Sequence, residues 1–133
     1  MVVPLPDGVR ALHAVSADGY RAIIVSRSLP PVERLAALAH ELAHDDCQGG
    51  CHHPGMPDLL RPIVARDEAR VDRVAADRLL PLPRLAAWVT AEVAAERPVT
   101  VALAAAGLDV AHWVAEVQLR RLWDGVLAGR QVA

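Results

Sequence analysis

Residues Pro31–Asp45 read PVERLAALAHELAHD, a run of Ala, Leu and Glu that favours helix over any other local structure. Leu29-Pro30-Pro31 stops whatever precedes it, and Pro31 sits acceptably in a helix's first turn. The pattern predicts a helix from about Pro31 to Asp45. Upstream, Val9–Val15 and Tyr20–Ser26 are β-prone, and the intervening Ser16-Ala17-Asp18-Gly19 ends in a tight-turn dipeptide, so a hairpin is expected there. Downstream, Gly49, Gly50, Pro54, Gly55 and Pro57 make Asp46–Asp58 a loop.

Helical spacing returns between Pro62 and Leu80 through Val64, Val71, Ala75 and Leu79, and Pro81-Leu82-Pro83 breaks it. A third helix is expected at Leu82–Ala95, a short fourth at Thr100–Ala106, and a fifth from Asp109, as its N-cap, to about Leu127. The class is α+β: a small amino-terminal sheet followed by helices. At 133 residues the chain is the size of one domain. Its expected segments are a hairpin region (1–30), two helices and a loop (31–81), and carboxy-terminal helices (82–133).

Composition narrows the function. With 53% hydrophobic and 23% charged residues the chain can support a core, which argues against disorder. A net charge of −2 offers no broad basic field, so general nucleic-acid binding is disfavoured. No apolar run approaches the ~20 residues of a membrane span, and the amino terminus lacks the regions of a secretory signal. We read a soluble, non-exported, cytoplasmic protein. Its cysteines, Cys47 and Cys51, are then in a reducing compartment, where a structural disulfide is the less favoured use of them. All 14 basic residues are Arg, and Lys, Asn and Phe are absent. These missing types have AT-rich codons, and the bias is read as genomic.

Within the first helix, His40-Glu41-Leu42-Ala43-His44 is an H-E-x-x-H pattern. Side chains four apart lie one above the other, so both imidazoles face one point and can ligate one metal ion. Glu41, roughly 100° around the helix, lies beside that ion and suits a base acting on water. Six His and six Glu placed at random in 133 positions would give the pattern roughly 0.01 times per chain, and an ordinary solvated helix face is the alternative reading.

A catalytic zinc takes a third protein ligand and keeps one position open. Glu68 lies between Val64 and Val71 on the apolar stripe of the second helix, where a charge is costly unless paired or coordinated. A boundary glutamate reaching back to water is the alternative. Asp72, one turn further on, can accept the free ring N–H of a ligating histidine and fix its tautomer. Asp67 and Asp77 are read as solvated.

These residues resemble the ImmA/IrrE-like metallopeptidases, which group with the gluzincin type of zinc protease. The likeness runs from the hairpin through Pro81. It is carried by Ile23-Ile24-Val25, Glu33-Arg34, Leu38-Ala39-His40-Glu41-Leu42-Ala43-His44, and the segment from Glu68 through Val71, Asp72, Val74, Ala75 and Ala76 to Leu79-Leu80-Pro81. Leu35 and Ala37 stand where the family often has Arg and Thr, and Val74 where it has Phe. The resemblance implies a zincin-like domain with Glu68 as third zinc ligand. It also implies a protein substrate: a helix-turn-helix repressor of a mobile element or stress regulon, cut by limited proteolysis.

Cys47-Gln-Gly-Gly-Cys51-His52-His53 places four further donors within seven residues. Three readings stand: a second structural metal site, Cys47 or His52 occupying the open zinc position, or a polar active-site rim in which His52 or His53 steadies an oxyanion. The rim is preferred. His13 and His112 are excluded as ligands, and Trp88, Trp113 and Trp123 are read as core or interface. Two other functions compete with the peptidase. One is a partner-binding pseudopeptidase that keeps the metal. The other is a DNA-binding module, suggested by Ala104–Asp109 followed by Val114–Arg121, with Arg120 and Arg121 near its end.

Overall fold

The structure, a computed structural model, describes residues 1–47 and 57–132, with side chains described as far as residue 129. Strands β1 (Val2–Val3), β2 (Ala11–Val15) and β3 (Arg21–Ser26) form one sheet in the order β1-β3-β2. The expected hairpin is present, with β2 antiparallel to β3 from Ala11 opposite Val25 to Val15 opposite Arg21. Its turn closes through the Gly19 amide donating to the Ser16 carbonyl (3.0 Å) and the Ser16 amide to the Tyr20 carbonyl (2.8 Å). Gly19 stands at φ +84°, a left-handed conformation that favours glycine. β1, not expected from the sequence, runs parallel to β3, with Val2 opposite Val25. The amino-terminal ammonium adds a bond to the Ile23 carbonyl at 3.0 Å.

After a short turn come α1 (Pro31–Cys47), a single 3-10 turn (Asp58–Leu60), and α2 (Arg61–Leu79). Then follow α3 (Leu82–Ala94), α4 (Val101–Leu108) and α5 (His112–Val132). This is the expected α+β class. Two boundaries differ in an informative way. α1 runs two residues beyond Asp45, through the first part of the expected loop. Asp109 caps the end of α4 rather than the start of α5. It sits at φ +54°, with its own amide and that of Val110 bonded back to Ala105. Aspartate tolerates the left-handed conformation, so the signal read as an N-cap serves as a C-terminal stop. Thr100 is the N-cap of α4, its hydroxyl accepting from the Leu103 amide at 3.1 Å.

Packing divides the chain into two compact units, Met1–Ala75 and Ala76–Ala133, and the boundary falls inside α2, within the segment 31–81. In the first unit α1 lies on β3 and β2. Its buried residues are small: Val25, Ala36, Ala37, Ala39, Ala43, Val71 and Ala75. An alanine face lets a helix approach a sheet closely, and charged pairs hold it there, Arg10 with Glu33 in the first turn of α1 and Arg21 with Asp45 in the last.

The second unit packs α3, α4 and α5 on one another. Leu80, Leu85, Ala104, Leu108, Ala111, Val114 and Ala115 fill it, with Gln118 as its buried polar residue. Trp123 is 60% exposed on α5, which excludes it from the core and leaves the interface part of its expected role. Among the described residues, no helix is long and apolar enough to cross a membrane.

Candidate metal centre

α1 carries His40 and His44 one turn apart, and α2 carries Glu68. The fold brings all three together. The Nε2 atoms of the two histidines are 3.0 Å apart, His40 Nε2 lies 3.4 Å from one Glu68 oxygen, and His44 Nε2 lies 3.2 Å from the other. The rings meet edge to face with centroids 4.7 Å apart. Among the described residues this is the group of His, Cys, Asp and Glu side chains whose donor atoms converge closely enough to hold a metal ion.

All three are partly shielded: the side chains of His40, His44 and Glu68 are 24%, 20% and 34% exposed. The glutamate is thus at a boundary, as its alternative reading held, but its carboxylate is turned into the cluster rather than out to water. Val71 and Ala75, on the same stripe of α2, are buried and fix that face inward.

Asp72 does what its spacing suggested. Its Oδ1 accepts from His40 Nδ1 at 2.9 Å. Committing the Nδ1 proton to Asp72 leaves the lone pair of Nε2 facing the cluster, the tautomer a ligating histidine needs. The Asp72 bond also raises the His40 pKa above its ordinary value against the opposing effect of burial, and the charges of Asp72, Glu68 and Glu41 add to the rise. Glu41 is half-buried beside His40 and makes itself felt there as charge.

The other candidates fall elsewhere. Cys47 ends α1, where its carbonyl accepts from Arg70 Nη2 at 2.8 Å. Cys51, His52 and His53 lie outside the described residues, and so do the loop readings built on them. His13 and His112 are exposed. Asp77, read as solvated, is exposed but bonded: it accepts from Gln118 and Arg121. Nothing in the sequence pattern pointed to Arg70, because a bond from an exposed arginine to a backbone carbonyl 23 positions away carries no periodicity.

The arginines of the competing DNA-binding reading are engaged within the protein. Arg120 pairs with Glu116 and Arg121 with Asp77. The first turns of α5 present His112 and Glu116, a poor match for a phosphate backbone. No family model, no curated protein and no solved structure matches this chain.

Proposed function

We propose that this protein is a zinc-dependent endopeptidase, with His40, His44 and Glu68 as metal ligands and Glu41 as the catalytic base. One observation carries the metal assignment: the two Nε2 atoms stand 3.0 Å apart, and each lies 3.2 or 3.4 Å from its own oxygen of the Glu68 carboxylate. Ligands about 2.0–2.1 Å from a tetrahedral zinc are separated by about 3.3 Å. Two imidazole nitrogens and one carboxylate oxygen are also a donor set that suits zinc. With three protein ligands the site would keep a position for substrate or solvent, as a catalytic rather than a structural site does.

Bound zinc supplies a Lewis acid that polarises the scissile carbonyl and brings the pKa of water to about 7. The chain does the rest. Asp72 holds His40 in the ligating tautomer. Glu41, one residue from His40 but on an adjacent face of α1, accepts a proton from the attacking water as its oxygen bonds to the carbonyl carbon. It returns that proton to the amide nitrogen as the C–N bond breaks.

The resemblance to the ImmA/IrrE-like metallopeptidases supports a protein substrate, namely a helix-turn-helix repressor. The test is incubation of zinc-loaded wild type and Glu41→Gln with candidate repressors. Cleavage by the wild type is expected to fall about 10²–10⁴-fold in Glu41→Gln, with zinc content unchanged. Equal cleavage by the two proteins refutes the role of Glu41. A repressor response that survives Glu41→Gln while zinc stays bound replaces the peptidase with a partner-binding pseudopeptidase.

A further inference from the structure

Two connections run side by side between α1 and α2. His44 meets Glu68 within the ligand cluster at 3.2 Å. Outside the cluster, three residues beyond His44 and two beyond Glu68, the Arg70 guanidinium donates to the Cys47 carbonyl at 2.8 Å. A carbonyl in a helix's last turn has no amide partner within its own helix, and a cation there is favoured by the helix dipole. Arg70 therefore joins the loose end of the histidine-bearing helix to the glutamate-bearing one. The same last turn is tied to β3 through Arg21 and Asp45, so the end of α1 is held both to the sheet and to α2.

This hold bears on the site because its donors come from two helices, so the distance from the His44 nitrogen to the Glu68 carboxylate follows the spacing of α1 and α2. Among the described residues, α2 offers few buried apolar side chains at this end of the pair. Val71 and Ala75 are buried further along α2, whereas the helix before Glu68 is mostly exposed, Ile63 at 54%.

We propose that Arg70 is a positioning residue of the metal site, setting the spacing of α1 and α2 that brings His44 and Glu68 to one ion. The proposal rests on the metal reading of the cluster. The test compares wild type, Arg70→Met, Arg70→Lys and Arg66→Met, the last removing another exposed arginine of α2. Zinc affinity is measured by chelator competition, and amide exchange is followed at residues 44–47 of the metal-free protein.

Arg70→Met is expected to bind zinc about three- to tenfold more weakly, less than the 10–100-fold loss for a group bonded directly to a ligand. Exchange in the last turn of α1 should quicken. Arg70→Lys should recover most of both effects, and Arg66→Met should show neither. Wild-type affinity and exchange in Arg70→Met, or an equal loss in Arg66→Met, overturns the proposal while leaving the metal site standing. Failure of the wild type to bind zinc overturns the metal reading and the role of Arg70 with it.

Discussion

The two units treat polar side chains in opposite ways. In Met1–Ala75, His40, His44 and Glu68 are only partly shielded, and their donor atoms converge on a common point. In Ala76–Ala133, Gln118 is fully buried and its amide is committed to fixed partners, the Leu80 carbonyl at 2.6 Å and Asp77 at 3.0 Å. Leu80 lies just past the end of α2, and the Arg84 amide that a continuing helix would offer its carbonyl donates to Pro81 instead, so a side chain completes it. A polar group that completes a backbone's bonding acts as structure. Polar groups whose donor atoms gather within reach of one ion can serve chemistry. The distinction is between polar groups bonded to the backbone and polar groups gathered on one another, not one of burial alone.

Breaking each arrangement should therefore read out differently. The largest effect is expected from Glu68→Ala or His44→Ala, which leaves two ligands. Zinc affinity should fall on the order of 10³-fold or more, by chelator competition, with little change in the melting temperature of the metal-free protein. Asp72→Ala frees the His40 ring and should weaken zinc about 10–100-fold. If instead it lowers metal-free stability without touching affinity, Asp72 belongs with the structural polar groups and the contrast fails there.

Gln118→Ala should do the reverse. Stranding the Leu80 carbonyl should cost about 1–3 kcal/mol of stability, measured by urea unfolding, and leave zinc affinity unchanged. The smallest effect concerns acid. Partial burial opposes ionisation of Asp77, but bonds from Gln118 and Arg121 and the Arg121 charge outweigh it and hold the carboxyl below its ordinary value. A depressed folded-state pKa contributes stability above the unfolded pKa and loses it as pH falls through the folded one. Asp77→Asn should therefore abolish a small acid-dependent loss below about pH 4. Because Asp77 is 49% exposed, solvent keeps the effect under about 1 kcal/mol.

Most of the architecture was legible because its signals are local. The prolines at 30, 31, 81 and 83 and the alanine-rich runs bound α1, α2 and α3 to within a few residues. The pair His40 and His44 needed only the pitch of a helix. Glu68 and Asp72 were legible as polar residues at or beside an apolar stripe, where solvation alone explains them poorly. Other features had no such signal. β1 is two residues long and exists as a strand only because β3 lies alongside. Asp109 is chemically able to begin a helix or to end one, and the course of the chain around it decides which.

The amino-acid order alone thus determined the α+β class, the placing of two imidazoles on one helix face, and a short set of candidates for what joins them. Tertiary structure decided that Glu68 turns toward those imidazoles, that Asp72 reaches the outer nitrogen of His40, and that Arg70 and Arg21 hold the end of α1. Helix pitch is a property of neighbouring residues and can be read from spacing. The separation of two helices is set by contacts between residues more than twenty positions apart, which leave no periodic trace.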